Sequence, residues 1–266
     1  REAGAVSNSD WRLRLAAPGH NVGLFPLAFA TRAPPALAKA GGADFLVLDM
    51  EHSGFGFESV RAVCAGGGAA GLPVVVRVAH RHPNEASRAL DVGANGLMAP
   101  LVSSAREAAD FVSWATYPPG GGTRGVALGV AHDGYGAGGE PVAARLAAAN
   151  AARSVIIQIE TRAGAEDADA IAAVDGVDCL WIGHMDLSCS LGIPGRFDHP
   201  DFAAAVAKVR DAAKGRGKAF GRLAGSPDEA RRLAAEGYDT LGLCTDIGAI
   251  RAQLAAGVEA LRGTAP

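Results

Sequence analysis

The chain has 266 residues, with 25 lysines and arginines against 28 aspartates and glutamates, so its formal charge of −3 gives nucleic acid or an anionic membrane surface little to grip. Its four cysteines, Cys64, Cys179, Cys189 and Cys244, form no C-x-x-C pair, no run of 18 apolar residues exists, and the start over 1–10 is polar, which together predict a reduced, cytoplasmic protein with no membrane span or signal peptide. The length suits one large α/β domain or two small ones, and the order of elements must decide between them.

Residues 11–17 predict a short helix closed by Pro18-Gly19, 22–28 the first strand and 34–40 a helix. The second strand, 44–50, runs into Glu51-His52 and is followed by a loop over 54–57 and a helix over 58–65. A third strand over 72–79 carries Arg77 towards its C-terminal end. Pro83 opens the next helix, where its missing N–H is harmless, and that helix reaches Asp91 before Gly93. Strand 96–102 and helix 105–114 continue the alternation, and then it breaks. The stretch 117–140, with Pro118-Pro119-Gly120-Gly121-Gly122 and a glycine-rich run over 134–139, is too long for an ordinary connection and reads as a functional excursion after the fourth βα unit. A helix over 141–151 leads to the fifth strand, 154–159, a β-branched run closed by Glu160. After a helix length of Ala-rich sequence, a sixth strand over 179–183 ends near Asp186, followed by a loop at 191–198 and a helix over 201–214. Strand 218–223, helix 227–236, strand 240–244 and helix 247–261 complete the chain. Eight strands alternate with helices, no linker interrupts them, and no G-x-G-x-x-G follows the first strand. The expectation is therefore one (β/α)8 TIM barrel over 1–266, with 1–20 as an N-terminal extension, in place of an open doubly wound sheet.

On such a barrel the reactive residues gather at the C-terminal ends of the strands. Those ends carry Asp49, Glu51 and His52, then Arg77, then Glu160, then Asp186. Glu160 and Asp186 follow successive parallel strands and so share one rim, where two carboxylates can converge on a hard divalent cation. Taken singly, each also has a plain reading, Glu160 as a solvated helix entry and Asp186 as a helix N-cap. The whole set matches carboxylate-bound Mg2+ or Mn2+ with open positions for a bidentate oxygen ligand, and a guanidinium placed for developing negative charge. Lys39, Lys208, Lys214 and Lys218 fall in helices or at the start of a strand, which disfavours imine chemistry, and no G-x-S-x-G elbow supports a serine hydrolase.

Asp49-Met-Glu-His52, Val74-Val-Val-Arg77, Leu90-Asp-Val-Gly93, Tyr117-Pro-Pro with Thr123-Arg-Gly, Gln158-Ile-Glu-Thr-Arg162 and Gly183-His-Met-Asp-Leu-Ser188 resemble, in order and spacing, the HpcH/HpaI family of class II pyruvate aldolases over roughly 22–258. The resemblance implies a metal-dependent barrel that reversibly cleaves 4-hydroxy-2-oxoacids to pyruvate, or a close 2-oxoacid, and an aldehyde. It also implies a homo-oligomer, usually a hexamer whose C-terminal helix packs on a neighbouring subunit. Carried onto this chain, it makes Glu160 and Asp186 the ligands of Mg2+, Mn2+ or Co2+, and Arg77 the group that stabilises the enolate. His52 becomes the base for the 4-hydroxyl proton, with Asp91 raising its basicity. Gln158 and the backbone of Met185 and Asp186 hold the pyruvate moiety, and Asp49 and Leu223 stand near the aldehyde.

The sequence departs from the family pattern at Gly183-His-Met-Asp186, where Pro-Ala usually separates Gly from Asp. If the backbone is still extended there, His184 faces the same way as Asp186 and reaches the metal or the substrate; otherwise it fills core. His80-Arg81-His82 reads either as a basic loop that attracts an anionic aldehyde or as a solvated one. Two other classes stay open, a coenzyme A ester lyase like the β-type citrate lyases and a non-catalytic 2-oxoacid-binding protein. The full set of Glu160, Asp186, Arg77 and His52 counts against the second.

Overall fold

The strands of this chain are short and mostly buried on both faces, as a sheet enclosed between a packed interior and a shell of helices requires. In the computed structural model, which describes residues 8–263, β1 (Asn21–Phe25), β2 (Phe45–Asp49), β3 (Val74–Arg77), β4 (Gly96–Ala99), β5 (Ser154–Ile159), β6 (Cys179–Ile182), β7 (Ala219–Leu223) and β8 (Thr240–Thr245) pair in parallel in sequence order. β8 pairs back with β1 and closes the barrel. α1 (Asn8–Ala16) precedes β1, and α2 (Ala33–Ala40), α3 (Phe57–Ala70), α4 (Pro83–Asp91) and α5 (Ala105–Ala115) each follow one of the first four strands. Between α5 and β5 lie two 3-10 segments, Pro118–Gly120 and Ala131–Gly136, and α6 (Val142–Ala152). α7 (Arg162–Glu166) and α8 (Ala168–Ala172) follow β5, α9 (His184–Ser190) and α10 (Pro200–Gly215) follow β6, α11 (Pro227–Ala235) follows β7, and α12 (Asp246–Arg262) ends the description. The single (β/α)8 barrel expected from the alternation is the fold observed; 1–7 and 264–266, within the expected domain span, lie outside the described residues.

Alternation along each strand divides the core in two. Phe45, Val47, Val75, Met98, Ile156, Cys179 and Trp181 point inward and fill the barrel, while Leu46, Leu48, Val74, Val76, Val155, Ile157 and Leu180 point outward and pack under the helices. Trp11 of α1 joins the inner set, stacked on Phe45 at 4.9 Å, and its indole N–H donates to Ser154 at 3.0 Å. α1 thereby plugs the N-terminal mouth of the barrel, and the opposite mouth is left for the polar residues at the strand ends.

Two elements differ from the sequence reading, α3 and the chain after β6. α3 continues to Ala70 through Gly66-Gly67-Gly68. A Cβ on Gly66 would stand 2.4 Å from the Arg32 carbonyl oxygen, and one on Gly67 2.6 Å from the Val74 side chain, so these glycines allow close packing and do not end the helix. The chain after β6 turns at once into α9. α12 stands off the barrel, with Asp246 its one buried residue and Ile247, Ile250, Leu254, Val258 and Leu261 exposed along one stripe. Among the described residues no helix is long and apolar enough to cross a membrane.

Candidate active site

The inward face that carries Val47 and Val75 reaches Asp49 and Arg77 one step nearer the C-terminal rim, and the β2–β3 register sets these two side by side. Arg77 donates from Nε to Oδ1 and from Nη2 to Oδ2 of Asp49, both at 2.8 Å. Its remaining Nη1 lies 3.3 Å from Gln158 Oε1 and 3.2 Å from Glu51 Oε2, and its plane rests 5.1 Å from the Phe25 ring centroid. Burial alone would lower the Arg77 pKa, but the bond to Asp49 and the charges of Asp49, Glu51 and Glu160 outweigh it and hold the guanidinium above its ordinary value. Arg77 is therefore a fixed, permanently charged fork.

Glu160 follows β5 directly and is 2% exposed. Its Oε1 accepts the Leu101 N–H at 2.6 Å, and its Oε2 accepts from Gln158 Nε2. Leu101 delivers that N–H from a left-handed backbone, φ 56°, which a leucine rarely adopts. Burial raises the Glu160 pKa to about 7, with Glu51 and Asp186 adding to the rise against the two hydrogen bonds. Burial likewise raises Glu51, with Asp49 and Asp186 adding to it against Arg77 and His52. Asp186 stands in the first turn of α9, and Gly183 before it is the residue that lets the chain pass Glu160: a Cβ there would lie 2.1 Å from Oε2.

Glu51 and Glu160 thus act on a guanidinium already paired to Asp49, and the charge of Asp186 acts on both of them. Such a group of hard, negatively charged oxygens, around a Glu160 carboxyl that burial first and its acidic neighbours second push up to about 7, fits a divalent cation of the Mg2+ type held by Glu160 and Asp186. Among the described residues no three His, Cys, Asp or Glu side chains form a closed ligand cage. Glu160 and Asp186 alone would leave most positions of such a cation to oxygen ligands from elsewhere.

Beside it is a cavity of about 220 Å3. His52, Arg77, Gln158 and Asp186 supply its polar wall, and Phe25, Leu27, Trp181 and Leu223 its apolar one. His52 stands at the mouth, its side chain 60% exposed and its Nε2 3.7 Å from Glu51 Oε2. Met185 and Leu223 line the cavity as the resemblance implies.

The placements of Asp49 and Asp91 differ from what the resemblance implies, and the two open readings, of His184 and of the 80–82 loop, are narrowed. Asp49 is fully buried, and its two oxygens are consumed by Arg77 and by the N–H groups of Glu51 (2.9 Å) and His52 (3.2 Å), so no face of the carboxylate remains for an aldehyde. Asp91 is not brought to His52 within the chain. It ends α4, which runs from the rim back towards the base of the barrel, and it pairs there with Arg124 at 2.6 Å. His184 opens α9, so the extended backbone that would have aligned it with Asp186 is absent. It packs edge-on against Phe197 at 5.2 Å while still lining the cavity, and burial, then Arg222, lower its pKa to about 4 against Glu229 and Asp186, leaving it neutral. Arg81 is paired to Glu107 at 2.8 Å, and His82 caps α4, so the 80–82 loop keeps little free positive charge. Sequence reasoning missed Leu101, Trp181 and Phe25 and gave Glu51 no role; inward alternation on β1 and β6 could have found the two aromatics, whereas nothing marks Leu101.

Residues 27–252 match the sequence profile described as HpcH/HpaI aldolase/citrate lyase. A hydroxypyruvate/pyruvate aldolase of Paraburkholderia phytofirmans is 40% identical over 220 residues, which are 81% of this chain and 83% of the relative. A 5-keto-4-deoxy-D-glucarate aldolase of Shigella boydii is 35% identical over 211 residues, 79% and 80% of the two chains. The crystal structure of an HpcH/HpaI aldolase/citrate lyase family protein from Burkholderia cenocepacia superposes with a TM-score of 0.89 at 33% identity, over 96% of this chain and 99% of that one.

Proposed function

The chain belongs to the HpcH/HpaI aldolase/citrate lyase family, its similar relatives are aldolases, and from that footing we propose that it is a metal-dependent aldolase. Its reaction is the reversible cleavage of a 4-hydroxy-2-oxoacid to an aldehyde and pyruvate or a close 2-oxoacid such as hydroxypyruvate. The observation that carries this reading is buried Glu160, with exposed Asp186 at the same rim, beside a guanidinium locked by Asp49, at one wall of a substrate-sized cavity.

Glu160 and Asp186 would hold a divalent cation (Mg2+, Mn2+ or Co2+), which when bound would supply Lewis acidity towards the 2-oxoacid. The chain's own residues do the rest. Breaking the C3–C4 bond leaves negative charge on the 2-oxo oxygen, and Arg77, preorganised by Asp49, presents Nη1 on the cavity side to stabilise it. Gln158 holds Arg77 with its oxygen and Glu160 with its nitrogen, so it ties the cation seat to the guanidinium and contacts the 2-oxoacid between them. His52, at the solvent-facing mouth, takes the 4-hydroxyl proton during cleavage and returns it during addition, a task suited to an imidazole near neutral pH. Leu223 with Trp181 and Phe25 excludes water on the apolar side of the cavity.

Because Asp91 does not reach His52 in its own chain, any tuning of His52 by Asp91 comes from a second copy. The bare apolar stripe of α12 is the surface on which copies meet, in a hexamer by family resemblance. Four free cysteines fit a reducing, cytoplasmic setting.

The test is enolisation without any aldehyde. The enzyme should exchange pyruvate methyl hydrogens with deuterated water, followed by proton NMR, only when divalent metal is present. No exchange by the metal-loaded enzyme with pyruvate, hydroxypyruvate or oxaloacetate sinks the aldolase reading, and exchange confined to a coenzyme A ester moves it to the ester lyases.

A further inference from the structure

A second, much smaller cavity of about 30 Å3 lies near the base of the barrel, between α4, α6 and the residues leading into β4 and β5. Leu90 and Ala94 are among its apolar walls, and Arg124, His132 and Arg153 face it with side chains more than nine-tenths buried. Each of the three is anchored at one point. Arg124 Nη2 donates to Asp91, Arg153 Nη2 donates to Thr116, and His132 Nε2 lies 3.0 Å from the Tyr117 hydroxyl. What remains is Arg124 Nε, Arg153 Nε, Arg153 Nη1 and His132 Nδ1, four of the seven buried side-chain nitrogens and oxygens that lack a hydrogen-bond partner among the described residues. Such groups are rare in folded proteins, and four around one cavity call for a common occupant.

Charge says what the occupant is. Arg124 is neutralised by Asp91 at 2.6 Å. Arg153 makes no ion pair among the described residues, because Asp178, the one acid that acts on it, is taken by Arg12 at 2.8 Å and by the Val155 N–H. Burial, with Arg12 and Arg124 adding to it against Asp178, lowers the Arg153 pKa to about 10, so the guanidinium is still charged at neutral pH. A buried charge with neither counter-ion nor hydrogen-bond complement is unfavourable. The unsatisfied guanidinium atoms are donors only. The Tyr117 hydroxyl donates to the Ala127 carbonyl at 3.3 Å and so accepts from His132 Nε2, which leaves Nδ1 of the neutral ring an acceptor. A water molecule brings no charge against Arg153; an anion accepts from both guanidiniums and supplies it.

We propose that this cavity binds one small monovalent inorganic anion, a halide-sized ion such as chloride, through the guanidiniums of Arg124 and Arg153, beside the His132 ring. Its volume exceeds the roughly 10–15 Å3 that a cavity needs to hold one water, so a single ion of similar size fits. Arg124 and His132 come from the glycine-rich stretch between α5 and α6, Arg153 leads into β5, and Asp91 ends α4. The ion therefore fastens that stretch to the barrel base and fixes the carboxylate of Asp91.

Bromide soaked into crystals of the intact enzyme should give an anomalous scattering peak between Arg124, Arg153 and His132. In solution, replacing sodium gluconate by sodium chloride at constant ionic strength should raise the melting temperature by roughly 3–5 °C, the shift for a ligand at about tenfold its Kd that binds only the folded state of a domain this size. Arg153→Gln should abolish the difference between the two salts. A cavity without bromide together with equal melting in chloride and gluconate overturns the site and leaves it to water. An unchanged chloride effect in Arg153→Gln overturns the assignment to this cavity. If Arg153→Gln does not fold, the wild-type bromide map decides alone.

Discussion

Asp49 holds both nitrogens of the Arg77 fork at 2.8 Å and, with the same two oxygens, accepts the backbone N–H groups of Glu51 and His52. One buried carboxylate thus aims the guanidinium proposed to meet the enolate and folds the turn that carries His52, the proposed base, without facing the cavity itself.

Asp49→Asn should therefore act like a loss of machinery although it touches no substrate. We expect kcat to fall about 10²-fold, the scale of one misplaced electrostatic donor, with stability lower by about 3–5 kcal/mol for a broken buried pair. Steady-state kinetics and a thermal melt check this; wild-type kcat in the variant would dissociate Asp49 from catalysis.

How far the sequence reached follows from what each residue depends on. Arg77, Gln158 and Glu160 stand at strand ends whose apolar alternation is written locally, so their common rim was legible. The motif around Asp49 placed it beside the site, but its pairing with Arg77 depends on the β2–β3 register, which no local pattern states. Asp91 was located on its helix correctly, at the end of 83–91, yet the resemblance names a residue without saying which copy supplies it. The left-handed turn at Leu101 has no glycine or asparagine to announce it, and Gly66-Gly67-Gly68 looked like a helix stop because the close approach of Arg32 and Val74 is tertiary.

Leu101 makes its contribution through a backbone N–H, so the side chain is dispensable and the conformation is not. Leu101→Gly should keep metal affinity and change stability by less than about 1 kcal/mol, relief of the φ 56° strain offsetting the added chain entropy. Leu101→Pro removes the donor and forbids the backbone, and should lose at least about tenfold in metal affinity. Calorimetric metal titration separates the two; equal affinity in the proline variant would show that Glu160 needs no help from this bond.

The raised pKa of Glu160 gives metal-free enzyme a pH signature. A carboxyl at about 7 when folded and 4.5 in its ordinary state favours folding while protonated; that stabilisation is complete below about pH 4.5 and is lost as pH rises through 7. Glu160→Gln, which cannot ionise, should remove this slope, so metal-free Glu160→Gln should be more stable than metal-free wild type at pH 8 by on the order of 3 kcal/mol and closely similar at pH 4.5. Urea unfolding at both pH values measures it. The same variant should bind divalent metal poorly. If the two proteins differ equally at both pH values, burial does not perturb Glu160.

If Asp91 serves the His52 of another copy, two crippled proteins can repair each other. His52→Ala and Asp91→Asn should each be slow, the first more so. Unfolded and refolded together in equal amounts, they should regain about a quarter of intact sites, those that draw His52 and Asp91 from different chains. Activity that stays at the average of the two variants would place the pair within one chain or remove Asp91 from the reaction.

α12 is where the assembly is most exposed to test. A 17-residue helix that buries only Asp246 against its own barrel has little to stabilise it alone in water. Its stripe of Ile247, Ile250, Leu254, Val258 and Leu261 follows the three- and four-residue spacing of a face made to be covered. Leu254→Glu combined with Val258→Glu puts two charges one turn apart in the middle of that face; Arg251 and Arg262 stand within a turn of them but in solvent, and burying the two carboxylates against another subunit is strongly unfavourable. Light scattering coupled to size exclusion should find wild type at a multiple of the chain mass and the double variant as a monomer. Activity should fall with assembly if Asp91 acts across copies, while the barrel itself, whose core α12 does not share, keeps its cooperative melt. A wild type that runs as a monomer would leave the stripe unexplained and confine Asp91 to its pair with Arg124.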